Sequence, residues 1–300
     1  FIAMVCAIAC TTTETILDFN LVEGSINKLD SAYVIFQEQA YRFPLDAQGK
    51  GTLKMNIKED GFAILVYGKL STNIYLKQGN TLKVIWDKED WRGGKMQVVS
   101  DDGGINEYIR LNIEKSFKKA TECSFTLEED SFMDKVEQTI RELSAGIDST
   151  NFAPEIKDIL KASSKYEVLY WIYKYPRFHN FGKRMSQEEY LAFKRFNEYM
   201  FDKFEAHPEY LCLTAYREYA VNWFYELMQL RCFGEPYILK KEKACQYILE
   251  HVKNAELREY ALAETITPYI KSYGIEGAEN IIECFRTNVK NPMYVNLFES

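Results

Sequence analysis

The chain is short of the residues that most often perform chemistry or interrupt structure. Of its 300 residues only three are histidine, seven are proline and fifteen are glycine. His179, His207 and His251 stand alone, with no His-x-x-x-His and no cysteine pair at ligand spacing, so no metal site is expected. There is no Cys-x-x-Cys, which excludes a thioredoxin-type dithiol site within the chain. Gly-x-Ser-x-Gly is absent, as is Ser-x-x-Lys followed by its supporting motifs, so no nucleophile signature is present. Gly93-Gly94 and Gly103-Gly104 lack the spacing and the strand-to-helix setting of a phosphate loop. Carboxylates are plentiful, but which of them face each other is not written in a sequence, so carboxylate hydrolase chemistry has no support here. No cofactor and no catalytic residue are expected.

Positive charge is also in deficit. Lys and Arg total 37 against 44 Asp and Glu, for a net charge of −7. A nucleic-acid binder needs a basic excess to displace counterions from phosphates, so that class of partner is excluded. No apolar run approaches the roughly 20 residues of a membrane-spanning helix.

What the chain does have is apolar and aromatic mass: 47% hydrophobic residues, with 21 Tyr and 19 Phe. That suits two domains of modest size and a large aromatic core, and it rules out a disordered or collagen-like chain.

The first ten residues, Phe-Ile-Ala-Met-Val-Cys-Ala-Ile-Ala-Cys, are half of a membrane span but the right size for the end of a signal-peptide apolar region. Ala7-Ile8-Ala9-Cys10 has the form of a bacterial lipobox, in which cleavage before Cys10 frees its thiol for lipidation. The alternative is a buried N-terminal strand or helix. The polar Thr11-Thr12-Thr13-Glu14 that follows at once favours the lipobox, and with it a body tethered by lipid to an envelope membrane, periplasmic or at the outer-membrane surface. Phe1 is not Met, so the true start is expected to lie outside this sequence.

Past Cys10, five cysteines remain at irregular spacing: Cys123, Cys212, Cys232, Cys245 and Cys284. An odd number so placed is not a disulfide framework. Cys212 and Cys232 are expected on one helix, about 30 Å apart at 1.5 Å rise per residue, too far to bridge.

The pattern of apolar residues changes once along the chain. From Ile16 to Ser100 it reads as six or seven short strands, among them 32–36, 53–57, 62–67, 74–77 and 82–86, separated by Asp, Asn and Gly turns. No helix fits between them, so an antiparallel sandwich is expected. After Gly103-Gly104, Ile105, Ile109, Ile113 and Phe117 open a helical region. A second helix carries Phe132, Val136, Ile140, Leu143 and Ile147, with Thr126 and Glu129 as a capping box. A third spans 154–175, and a fourth follows the Ser186/Glu189 box through Met200. A fifth opens at Pro208, and three more cover 238–253, 255–273 and 276–288. The fold class is thus α+β: residues 1–15 are leader remnant and linker, 16–102 a β-sandwich, and 103–300 an irregular helical domain.

One segment invites a functional assignment. Between Lys165 and Arg184, Tyr166, Tyr170, Trp171, Tyr173, Tyr175, Phe178 and Phe181 interleave with Lys165, Lys174, Arg177, His179, Lys183 and Arg184. Helical spacing puts Tyr166, Tyr170 and Tyr173 in the core. A surface for a partner or ligand is the competing assignment, with Tyr170, Trp171, Tyr175 and Arg177 as its candidates.

Three motifs follow the lipobox in order. Pro44-Leu45-Asp46-Ala47-Gln48-Gly49-Lys50-Gly51 reads as a hairpin. Ile74-Tyr75-Leu76-Lys77-Gln78-Gly79-Asn80-Thr81-Leu82 holds a second turn, and Gly103-Gly104-Ile105-Asn106-Glu107-Tyr108-Ile109 marks the sheet-to-helix junction. Asp46 and Asn80 have side chains suited to folding back onto nearby amides. Gly49 and Gly79 take positive φ at low cost, and Asn106 is placed to accept from amides at a helix start. In this order, over about residues 1–115, the motifs resemble the N-terminal region of envelope thioredoxin-like lipoproteins of the Bacteroidota, of the TlpA/ResA-like type. That resemblance implies a small β-sandwich and a helical segment preceding a thiol-disulfide oxidoreductase domain. Asn80 stands where the family usually has Asp. The family's Trp-Cys-x-x-Cys domain is not in this sequence and is expected beyond Ser300. On this basis the chain is expected to be a non-catalytic accessory region whose partner is a protein client or the fused thioredoxin-like domain. The alternative is a free-standing surface lipoprotein that binds a glycan or other nutrient through its aromatic residues.

Overall fold

The computed structural model describes residues 14–22, 29–37, 39–68, 70–87, 96–180, 185–202 and 204–299. Cys10 with the apolar run around it, the Arg92-Gly93-Gly94 turn, and Phe181, Lys183 and Arg184 lie outside the described residues. Among them the fold is α+β, with eight strands followed by ten helices. The chain divides into two compact units, Phe1–Leu111 and Asn112–Ser300.

In the first unit, β1 (Thr15–Val22), β4 (Lys50–Met55), β7 (Thr81–Asp87) and β8 (Gln97–Val99) form one sheet in the order β4-β1-β7-β8. The strands β2 (Ser31–Phe36), β3 (Gln39–Pro44), β5 (Gly61–Tyr67) and β6 (Leu70–Leu76) form the other, in the order β3-β2-β5-β6. Alternation selects the inner faces: Leu17, Phe19 and Leu21 of β1 and Leu82, Val84 and Trp86 of β7 are buried while the residues between them are not. Phe19 sits at the centre, with its ring 6.0 Å from Phe43 and 6.5 Å from Trp86, both edge-on. Burial of each such side chain stabilises by about 1.5–3 kcal/mol.

Two expectations are corrected here. The sandwich is not wholly antiparallel, because β1 runs parallel to β7, with Ile16 opposite Thr81 and Val22 opposite Asp87. No crossover helix is needed, since the chain returns through β2 to β6, of which all but β4 build the second sheet. The 44–51 segment is not a hairpin either: β3 pairs with β2 and β4 with β1, so the Asp46 turn carries the chain from one sheet to the other. Gly51 is required at that crossing, where a Cβ would collide with the Pro44 carbonyl.

Helix α1 (Ile105–Thr121) begins in the first unit and ends in the second. The second unit continues with α2 (Glu129–Asp148), α3 (Pro154–His179), α4 (Gln187–Leu191) and α5 (Lys194–Asp202). A single 3-10 turn, Pro208–Tyr210, precedes α6 (Thr214–Arg231), α7 (Tyr237–His251), α8 (Ala255–Tyr273), α9 (Glu279–Asn288) and α10 (Pro292–Glu299). Helices α3 and α6 form its centre. Both are buried around much of their circumference, which is why neither shows a clean apolar stripe.

The capping box of α4 forms as the sequence indicates, with Ser186 accepting from Glu189 N and the Glu189 carboxylate accepting from Ser186 N. The one expected at Thr126/Glu129 does not. The N-cap of α2 is Glu128, and Glu129 Oε1 accepts from Phe196 N at 2.9 Å. The fourth predicted helix is broken into α4 and α5. The fifth starts six residues after Pro208, and α3 runs through Pro176 to His179 instead of stopping at Tyr175. Proline removes one helix hydrogen bond, but beyond it His179 Nδ1 lies 2.8 Å from Phe125 O and Phe178 stacks on Phe125 at 5.2 Å, which hold the last turn.

Candidate functional site

The three sequence motifs build turns. Asp46 Oδ1 accepts from Gln48 N at 2.9 Å and Lys50 N at 2.8 Å, and Gly49 takes φ +80°. Gly79 takes φ +75°, and its amide donates to Thr15 Oγ1 at 3.0 Å, which ties the second turn to β1. Asn80 does not fold back on nearby amides. Its side chain donates to Asp101 O, and its own amide bonds to Lys77 O.

At the junction two roles are exchanged. Asp102 caps α1, accepting from Gly104 N at 2.9 Å, Ile105 N at 3.0 Å and Asn106 N at 3.3 Å. Asn106, expected in that role, instead pairs with the backbone of β6: Oδ1 accepts from Tyr75 N at 2.8 Å and Nδ2 donates to Tyr75 O at 2.7 Å.

The aromatic segment of α3 separates into core and surface. Tyr166 and Tyr173 are core residues, as their spacing indicates. Tyr175 is core as well, which removes it from the proposed surface. Only 1% exposed, it stacks on Phe132 at 4.2 Å and donates its hydroxyl to Leu127 O at 2.7 Å. Tyr170 and Trp171 are half-buried, and the Lys174 ammonium lies 4.2 Å from the Tyr170 ring and 5.0 Å from that of Trp171. Trp171 stacks on Phe125 at 5.4 Å and lies 6.2 Å from Phe117, while Phe125 stacks in turn on Phe178, which is 40% exposed. Phe117, Trp171, Phe125 and Phe178 therefore form a continuous ladder of rings that ends at solvent.

Arg177 leaves the ladder and pairs with buried Glu226 of α6 at 3.5 Å, while most of the arginine side chain stays in solvent. Glu226 also accepts from the Tyr190 hydroxyl at 3.0 Å. Burial pushes its carboxyl up to about 7, against the opposing pull of Arg177, the Tyr190 hydroxyl and Lys240. Both oxygens have partners and the side chain is 6% exposed, so this is a structural charge pair and not an exposed acid.

Beside it a cleft of about 230 Å³ opens between α6, α7 and α8, with walls that include Tyr225, Met228, Tyr237, Lys240 and Lys241. No sequence motif marks these residues. The available signal was Lys241, which lies on the same face of α7 as buried Ala244, Cys245 and Ile248, at i+3, i+4 and i+7.

The histidines are engaged locally: His207 lies between Glu205 and Glu209, and His251 stacks on Tyr247 at 4.0 Å. Among the described residues no group of three His, Cys, Asp or Glu side chains is placed to hold a metal ion. No helix among them is long and apolar enough to cross a membrane. No family model, curated protein or solved structure matches the chain.

Proposed function

We propose that this chain is a non-catalytic binding region of an envelope lipoprotein, anchored through Cys10, that holds either a thioredoxin-like domain or that domain's protein client. The observation that carries the reading is the ring ladder from Phe117 to Phe178, flanked by Lys174 and by the largely solvated Arg177. Rigid aromatic area beside a cation is what dominates protein interfaces energetically.

The test is a titration of the purified chain with a reduced and an oxidised Trp-Cys-x-x-Cys domain and with an unfolded client protein. Saturable binding that weakens at least about tenfold in Phe178→Ala, with unchanged circular dichroism, is the expected result. Equal binding by the variant overturns the reading, as does disulfide reduction by the chain alone. The anchor is tested separately by fatty-acid labelling in cells, where Cys10→Ser should lose the label.

A second reading, capture of a sugar or similar nutrient, has its own observation. Tyr237, Tyr269 and Tyr273 cluster with ring centroids 5.0–5.6 Å apart, and Tyr273 is 66% exposed.

A further inference from the structure

Lys241 is in an unusual position for a lysine. It is 9% exposed, and its ammonium lies 5.2 Å from the Tyr237 ring centroid and 5.5 Å from that of Tyr225. Among the described residues no carboxylate lies within ion-pair distance of it, and burial holds its pKa below the usual lysine value. An ammonium withdrawn from water is normally paired with an anion; here two ring faces stand in for one.

The surroundings repeat the bias. Although the chain carries a net charge of −7, no Asp or Glu among the described residues lines the cleft, and a second lysine does. Lys240 donates to Gln229 Oε1 at 2.8 Å, which orients the Gln229 amide so that its Nε2 hydrogens remain available as donors. The nearest acid on α6, Glu226, is committed to Tyr190 and Arg177. Of the remaining lining residues Val221, Met228 and Ala244 are apolar, and Asn222 and Thr265 are polar but uncharged. A second cleft of the helical unit, about 290 Å³ between α2, α3 and α5, is different: its Arg195 is already tied to Asp134 at 2.8 Å and to Asp130 and Glu137 at 3.5 Å.

We propose that the cleft between α6, α7 and α8 is a binding site for a small organic carboxylate with an apolar body, its charge held by Lys241 and Lys240 and its body lying between Tyr225, Tyr237 and Met228. The volume, below the roughly 300 Å³ where drug-sized pockets begin, limits the ligand to a small acid. This inference is independent of the partner-binding ladder on α3.

The experiment is ligand-observed NMR on the full chain with benzoate, phenylacetate and hexanoate, each against its neutral amide, together with glucose and inorganic phosphate. The carboxylates should compete for one site and bind at least about tenfold more tightly than their amides. Lys241→Met should keep the fold, with an unchanged or raised melting temperature, and lose at least about tenfold in carboxylate affinity. The proposal is overturned if no carboxylate saturates at millimolar concentration, if the amides bind equally, if glucose or phosphate binds instead, or if Lys241→Met binds as the parent does. Should that variant not fold, labelling of the parent chain with acetic anhydride decides: a bound carboxylate should slow acylation of Lys241, and an unchanged rate overturns the proposal.

Discussion

Arg217 and Tyr294, 77 residues apart in sequence, meet in the helical core, where the guanidinium donates to the tyrosine hydroxyl at 2.9 Å. The same guanidinium donates to Leu211 O, pairs with Glu256 at 3.2 Å and lies 4.9 Å from the Tyr260 ring. One side chain of α6 thereby fastens α8 and α10.

Arg217→Met should cost about 3–5 kcal/mol of stability, because it removes one side of a buried charge pair. Tyr294→Phe should cost only about 1 kcal/mol, for one hydrogen bond. Urea unfolding of both variants checks this. Equal losses would mean that the arginine acts chiefly through Tyr294.

Stability should also depend on pH through Glu226. Its folded pKa, about 7, lies above the ordinary 4.5, so between those values the folded chain binds more protons than the unfolded one. Its contribution is therefore greatest below pH 4.5 and declines as pH rises to 7, by on the order of 3 kcal/mol. The charged groups that face it from α3 and α7, Arg177 and Lys240, oppose the burial and do not reverse the sign. Glu226→Gln should flatten the melting temperature between pH 5 and pH 8; a profile as steep as the parent's would count against this assignment.

Asn106 is the most exacting position of the sheet-to-helix junction. Asn106→Ala leaves the Tyr75 amide and carbonyl without their side-chain partners and should cost about 2–4 kcal/mol, whereas Asn80→Asp, which turns the exposed donor to Asp101 O into an acceptor, should cost about 1–2 kcal/mol. Thermal melts of the two variants check this order.

Thiol chemistry should single out Cys284. The Cys245 thiol beside it lowers its pKa, while Cys245 itself is raised by Cys284 and by burial. Burial raises Cys123 and Cys232 and pushes Cys212 up to about 11. Iodoacetamide at pH 8, followed by mass spectrometry, should modify Cys284 first among these five, and more slowly after Cys245→Ala. Faster labelling of Cys212 would refute that order.

The parts of this fold legible in the sequence were those whose signal is local. The four-residue recurrence from Ile105 to Phe117 marks α1, and the Ser186/Glu189 pair marks α4. Alternation marks β7. Where two solutions share one local pattern, the tertiary partner decides: Thr126/Glu129 has the form of a capping box, yet Phe196 takes the glutamate. The edge strand β3 escaped notice because four of its six residues are exposed, so burial imposes no pattern on it. The candidate sites were less legible. Tyr175 and Trp171 look alike on paper and differ in what covers them, Phe132 and Phe193 over the first and Phe117 and Phe125 over the second. The pairing of Arg177 with Glu226 spans 49 residues that no spacing rule connects.

The parallel pairing of β1 with β7 also governs the order in which the first unit can assemble. β1 emerges first from the ribosome but occupies an inner place in its sheet, and Ile16 stays without neighbours until Lys54 and then Thr81 have been made. A nascent chain that stops short of β7 can complete the β3-β2-β5-β6 sheet but not the one that holds β1. Its greasy first strand has to be shielded meanwhile, so assembly of that sheet should wait for β7 and be slow, limited by closure of its two ends.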